Sequence, residues 1–443
     1  MMEVATPNEL EFTYVYTWGA AEYTGHAKSY TDKTAEDVKQ SGWYNSNTTR
    51  KELTAPLLLV PLEMKRITSI QCCNTFTLAL SGYGDLYSWG TGMGTGFGEE
   101  AHVETPRHLE VPGEKFTFIT VTTPGGYTAG HAVAITDTLK AFTWGKGCLA
   151  KQDIQKPTQI KTSTNRFTSG ACGDESTILL TDTGIVLEIG VILQFQGGAV
   201  GTWLSKDTLV DVKSVAMASN WAAAVTNNGD LYLWGKFNSY SSANYFGIDR
   251  YRSGTTVPFV VPELKGQVDK VFLGWIHLSA LTKNGDVYMW GEGDTYRQGH
   301  AKKYQNKHLN HPVKLEKLCG VDVESMTLSR GNEGCITKHG EVLVWGGSEH
   351  GGHHRCKEPT LINSVFNYEF AQNGKITHVS CGKNMTGLVT RTKMTLVSIC
   401  VRFIAYNLEK FDAFTIPPRT KDLIRYFLEA RGMYDSKAQQ KLQ

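Results

Sequence analysis

Six Trp-Gly pairs recur along this chain, at Trp18-Gly19, Trp89-Gly90, Trp144-Gly145, Trp234-Gly235, Trp290-Gly291 and Trp345-Gly346, and an altered seventh copy fits at Ile189-Gly190. The intervals are 71, 55, 45, 45, 56 and 55 residues. Self-similarity at such a period means stacked units, a solenoid or a propeller. Val268 to Gly291 reads VDKVFLGWIHLSALTKNGDVYMWG, and Val212 to Gly235 and Ile67 to Gly90 follow the same plan. A β-branched run comes first, then a small-residue run, then an alternating stretch that ends in Trp-Gly. Alternation at period two is the signal of a half-buried strand. Asn284-Gly285 and Asn228-Gly229 separate the second run from the third, where a tight hairpin needs positive φ.

Each unit is therefore expected to be an antiparallel meander, with a fourth strand in the connection after Trp-Gly. Further units run from Phe116 to Gly145, Phe167 to Gly190, Glu324 to Gly346 and Ile376 to Arg391. The last lacks its own Trp-Gly strand, and Phe12 to Gly19 is an orphan strand of that kind. Joining them completes a seventh blade and closes a ring, which leaves only short strand edges. The expected fold class is all-β, a seven-bladed β-propeller over residues 1–391 closed by strand 12–19 and strands 376–391. A C-terminal α-helical hairpin with a polar tail follows over residues 392–443.

These units resemble the regulator-of-chromosome-condensation repeat family of seven-bladed propellers. The resemblance covers about residues 12 to 391, and Gly274-Trp275-Ile276-His277 with Ala280-Leu281 carries its motif whole. The loop motif after Trp-Gly survives in part, as Arg297-Gln298-Gly299-His300. The family histidine is kept at His131 and His277 and replaced by Phe76, Ser176, Trp221, Asn332 and Met385 elsewhere. Both histidines are expected to be structural, with the ring hydrogen-bonding neighbouring backbone, and the Trp-Gly tryptophans to be packing residues. The founding family member exchanges nucleotide on a small nuclear GTPase, so the resemblance also implies that activity as an alternative. A plant ultraviolet receptor shares the fold, but its repeated Gly-Trp-Arg-His-Thr motif is missing here.

The formal net charge of +2 is not the basic excess of a dedicated nucleic-acid binder. No apolar run reaches membrane-span length, and no signal peptide is evident at the start, so a cytoplasmic protein is expected, with cilium or cytoskeleton and nucleus as alternatives. Nine cysteines, an odd number in strand-like contexts, suit free thiols in a reducing compartment. Thr91 to Gly98, TGMGTGFG, looks like a phosphate cradle, but no helical pattern follows it, so an inter-blade loop is expected. His350, His353, His354 and Cys356 crowd one loop without the spacing of a zinc site. No paired carboxylates, nucleophile triad or cofactor loop stands out, so a non-enzymatic protein without cofactor or metal is expected. Lys302, Lys303, Lys307, Lys314 and Lys317 form a basic loop after the fifth unit that suits an acidic partner.

After residue 391 the period changes. Leu396, Ile399, Cys400, Phe403, Ile404 and Leu408 fall on one face of a helix. Pro417 and Pro418 precede a second helical pattern through Leu423, Ile424, Phe427 and Leu428. This pair resembles a suppressor-of-cytokine-signalling box. The resemblance implies that Leu396, Cys400 and Ile404 bind elongin C, and that the segment from Pro417 and Pro418 helps select a cullin. Two readings stand beside each other: a substrate adaptor for ubiquitination, and a structural subunit of a cytoskeletal or ciliary assembly that contacts tubulin or axonemal proteins.

Overall fold

A computed structural model of the chain describes residues 9–20, 36–39, 49–98, 101–122, 130–149, 152–162, 166–190, 202–203, 209–219, 221–235, 255–291, 296–300, 308–347, 356–362, 375–383, 385–395, 418–429 and 438. The chain divides into two compact units, Thr13–Thr390 and a second made of Met1–Phe12 with Arg391–Gln443.

Residues 13–390 form seven antiparallel sheets. In chain order, blade one spans 67–109, blade two 116–159, blade three 167–203, blade four 212–260, blade five 268–314 and blade six 323–361, each with four strands paired in sequence order. Blade seven closes the ring. Its inner strands Lys375–Cys381 and Met385–Thr395 are followed by Glu9–Ala20 from the chain start, then by Thr49–Leu58 and Glu36–Lys39. The seven-bladed propeller is thus the fold. The outermost strand of the closing blade is an addition that repeat spacing did not announce.

The Trp-Gly step is a geometric requirement. Gly90, Gly145, Gly291 and Gly346 sit at φ of 109°, 114°, 108° and 113°. A Cβ on Gly291 would lie 2.6 Å from both Ile276 O and His277 Cα, because the third strand ends against the start of the second. Gly190 holds the same position at φ 141°, which explains why its glycine persists where tryptophan has become Ile189. Trp18, Trp89, Trp144, Trp234, Trp290 and Trp345 are all fully buried between blades. Trp144 Nε1 donates to Gly94 O at 2.9 Å and Trp345 Nε1 to Arg297 O at 3.0 Å, each tying one blade to the loop of the blade before. The glycine-rich segment is therefore an inter-blade loop. Its Met93–Thr95 turn receives a tryptophan, and no helix opens after it.

Antiparallel pairing gives the propeller two different faces. On one, the hairpin face, the turns between second and third strands meet the start of the next blade. Phe116 N–H donates to Gly84 O, Phe167 to Leu139 O, Val212 to Gly184 O and Val268 to Gly229 O, at 2.8–3.2 Å. Ion pairs accompany these bonds, Lys115 with Asp85 at 2.6 Å and Lys140 with Glu114 at 2.7 Å among them. The other, the Trp-Gly face, carries the loops after Trp-Gly and the loops between inner and second strands. The inner strands enclose a cavity of about 330 Å³ lined in part by Gln71, Thr120, Cys172, Met217, Phe272 and Cys381.

The expected C-terminal hairpin is not shown. One helix is described there, Pro418–Glu429, with Ile424 and Leu428 buried one turn apart and Leu423 exposed. Pro418 opens it, a position where the missing N–H costs nothing. The preceding strand runs to Thr395, so backbone at the expected start of the first helix is extended. Leu396, Cys400, Ile404 and Pro417 lie outside the described residues.

Candidate functional site

The second strands bring a recurring pair together at several junctions between blades. The residue that opens the second strand of one blade meets the second residue of that strand in the next. In apolar form Phe76 and Ala132 share one core cluster across a seam, and Trp221 and Leu278 share another. Met385 Sδ accepts from Thr77 Oγ1 at 3.1 Å across the seam between blades seven and one. His131 is fully buried with Nε2 2.8 Å from Thr177 Oγ1 and Nδ1 3.2 Å from Thr122 Oγ1. Burial pushes its pKa down to about 3. The histidine is structural, but its partners are side-chain hydroxyls and not the neighbouring backbone that the motif suggested.

The junction between blades five and six is charged. His277 Nε2 lies 3.3 Å from Glu333 Oε1, and both side chains are fully buried. Burial, and after it the charge of Arg297, hold His277 well below the ordinary histidine pKa. Arg297 is itself buried, and so is Gln298, whose Nε2 donates to Gly291 O at 2.6 Å. Asn332 stands at the family histidine position of blade six and donates across the next junction, to Gly382 O and Lys383 O at 3.2 Å each.

Above this junction, on the Trp-Gly face, the loops carry aromatic and cationic side chains in contact. Arg330 Cζ lies 4.3 Å from the Trp275 ring centroid and Arg297 Cζ 5.8 Å from it. Lys357 Nζ lies 5.5 Å from the Tyr296 ring. Trp275 is anchored by its backbone, its N–H donating to Ser329 O at 3.2 Å and its carbonyl accepting from Trp221 Nε1 at 3.3 Å. Trp275, Arg330 and Lys383 occupy one repeat position in blades five, six and seven, two residues before the family histidine position. The same position holds Asn74 in blade one and Asp174 in blade three.

Of the basic loop read from sequence, Lys314 and Lys317 are described, and each has an acidic partner. Lys314 ends the outer strand of blade five and pairs with Asp286 at 2.7 Å, while Lys317 lies in the turn toward blade six and pairs with Glu358 at 3.2 Å. Lys302, Lys303 and Lys307 lie outside the described residues, as do His350, His353 and His354. Among the described residues no group of three His, Cys, Asp or Glu side chains is placed to hold a metal ion. No described helix is long and apolar enough to cross a membrane. The described cysteines are free, and burial pushes the Cys72, Cys73 and Cys335 thiols up to about 12. The motif signalled His277 and, in its loop, Arg297, but gave no sign of Glu333 or Arg330. Glu333 stands 56 positions from its partner, and only the stacking of blades brings the two together.

An RCC1-like seven-bladed propeller is the class that this arrangement defines. The Arabidopsis thaliana ultraviolet-B receptor UVR8 is 26% identical over 361 residues, covering 76% of this chain and 76% of its own length. Human E3 ubiquitin-protein ligase HERC2 is 29% identical over 279 residues, which is 57% of this chain and only 5% of HERC2. Yeast RCC1 (Prp20), solved bound to Kap60, matches with a TM-score of 0.68 at 18% identity, over 89% of this chain and 92% of that one. No protein-family profile matches the sequence.

Proposed function

We propose that this protein is a non-enzymatic interaction scaffold whose propeller presents the loops of its Trp-Gly face to a protein partner. The observation that carries this reading is the inequality of the two faces. The hairpin face spends its turn carbonyls and many of its charges on ties within and between blades. The Trp-Gly face places a partly buried tryptophan and an arginine stacked on it on a rigid ring, residue types that dominate protein interfaces, with an exposed lysine nearby. RCC1-like relatives with regulatory names support a role through binding.

In the same proposal the C-terminal segment docks the propeller into a larger assembly. Leu396 and Cys400 would enter elongin C, with a cullin engaged through the segment after Pro417 and Pro418, and the propeller would select substrates in the cytoplasm. The likeness to a stretch of HERC2 lends the ubiquitin reading some support. Retention of the full chain by purified elongin B/C, lost in a Leu396→Ala, Cys400→Ala double variant, is the expected result. No retention of either folded protein removes the adaptor role and favours a structural subunit of a cytoskeletal or ciliary assembly, which should resist extraction by salt and detergent. Exchange activity on a small GTPase is the other reading, favoured by the fold shared with yeast Prp20, a protein described with binding to Gsp1p. Tight binding to nucleotide-free GTPase, released by GTP, would select it.

A further inference from the structure

We propose that the cavity on the propeller axis binds an uncharged small molecule that joins a ring to a hydroxyl or amide group. This goes beyond the scaffold reading, which concerns the loops of the Trp-Gly face. Each blade contributes to the lumen the residue at one shared register position of its inner strand. Polar and apolar members are segregated around the ring. Blades six, seven, one and two bring Thr327, Ser380, Gln71 and Thr120, a continuous polar arc. Blades three, four and five bring Ala171, Ala216 and Phe272, a continuous apolar arc facing it.

The polar arc combines fixed and available groups. Cys381 N–H donates to Thr327 Oγ1 and Cys72 N–H to Ser380 Oγ, each at 2.9 Å, so the following blade holds both hydroxyls in place. The Gln71 amide and the Thr120 hydroxyl bond to no other group among the described residues, and both are partly exposed. They offer donors and acceptors to a guest. Phe272, partly exposed across the axis, offers a ring for it to pack on. Among the described residues that line the cavity there is no Asp, Glu, Lys, Arg or His. The Cys72 thiol reaches it, and burial pushes that group up to about 12, so it stays neutral. Charges at the hairpin-face end of the inner strands are already spent. Lys213 Nζ meets Asp269 Oδ1 at 2.6 Å, and Lys270 Nζ donates to Glu324 O at 2.7 Å. An ion entering this lumen loses water and gains no counter-charge, and a purely apolar guest leaves the polar arc unpaired. A cavity of about 150 Å³ holds benzene, so about 330 Å³ has room for a ring with polar substituents.

The test is isothermal titration of the full chain with 4-hydroxyacetanilide, a neutral ring carrying a hydroxyl and an amide. Its charged analogue 4-acetamidobenzoate and the apolar ethylbenzene are titrated beside it. Binding of 4-hydroxyacetanilide is expected, with both analogues about tenfold weaker or more. Ala216→Phe fills the lumen from the apolar arc and should abolish binding. Gln71→Leu and Thr120→Val remove one polar group each at nearly constant volume and should weaken binding about threefold to tenfold. Neither breaks a side-chain bond among the described residues, so they carry the test if Ala216→Phe fails to fold. No binding to the folded wild type, or equal binding of either analogue, overturns the proposal. Wild-type affinity in both Gln71→Leu and Thr120→Val overturns it as well. Recovery of a protein partner through the Trp-Gly face should be unchanged in these two variants, so the lumen site and the scaffold reading stand or fall separately.

Discussion

Left-handed backbone shows where a single side chain limits this propeller. Five hairpin turns place glycine there: Gly84, Gly184, Gly229, Gly285 and Gly340, at φ between 75° and 93°. Blade two has no glycine in its turn, and Leu139 takes the conformation instead, at φ 64°. A leucine held there costs about 1–2 kcal/mol, while glycine adds about 0.5–1 kcal/mol of unfolded-state entropy. Leu139→Gly should therefore stabilise the protein by about 0.5–1 kcal/mol in urea unfolding, and Gly285→Leu should destabilise it by more than that. A loss of stability in Leu139→Gly would mean that its half-buried side chain outweighs the strain. The buried histidines set a pH response. His131 has a folded pKa of about 3, far below an unfolded histidine, so between those values the unfolded chain binds the proton first. Stability is complete above about pH 6.5 and falls on acidification, by about 1.4 kcal/mol per pH unit for this group. Replacement by Gln, which can still meet Thr122 and Thr177, should flatten the slope of unfolding free energy between about pH 6 and 5 by that amount.

Among the elements, the strand from the chain start is placed to matter most. Glu9–Ala20 lies between Met385–Thr395 and Thr49–Leu58 in the closing blade, and Trp18 in it is fully buried. Deletion of residues 9–20 leaves the inner pair of that blade without its third strand, next to the seam where His378 Nε2 donates to Ile70 O at 2.8 Å. A broadened, lowered thermal transition with self-association is the expected outcome. An unchanged melt would show that the inner strands close the ring unaided. The orphan strand was legible because Phe12 to Gly19 carries the pattern that residues 376–391 lack. The inner three strands of the blades were legible for related reasons, since glycine at the strand end and glycine in most hairpins are dictated by local backbone geometry. Outer strands were expected in the connection after Trp-Gly but could not be bounded there: those of blades three and six pair over only Thr202–Trp203 and Thr360–Leu361, too short to show a period. The addition Glu36–Lys39 lies in a polar insertion with no apolar alternation to announce it. Helical spacing around Ile424 and Leu428 was readable and the helix Pro418–Glu429 is present, whereas the start of the expected hairpin, at residues 392–395, is strand. The charged junction needed three dimensions, because Glu333 occupies the repeat position of Leu278 and meets His277 only across two blades.

For the ring as a whole, the two faces divide the work between cohesion and recognition, and substitutions should sort accordingly. On the hairpin face the ties are numerous, and each exposed ion pair contributes little. Lys115 pairs with Asp85 while more than half exposed, so solvent screening limits that pair to about 1 kcal/mol or less. Charge reversals at Lys115 and Arg166 should therefore shift unfolding by about 1 kcal/mol or less each, with the backbone bonds to Gly84 and Leu139 still holding the blades. They should leave partner recovery unchanged. On the Trp-Gly face the order inverts. Arg330→Glu and Lys357→Glu remove no inter-blade backbone bond and should leave the melt near wild type, yet cut partner recovery sharply. The measurement is a paired map of melting temperature and partner cross-linking yield for these four variants. Loss of partner in the Lys115 or Arg166 variants, with folding intact, would move the recognition surface to the hairpin face. A ring closed by its own first strand can hold seven loops of unlike sequence at fixed spacing, so loop chemistry can change between relatives while the blades keep their glycines. That separation accounts for a chain whose Trp-Gly steps persist while its family histidine survives in only two of seven places.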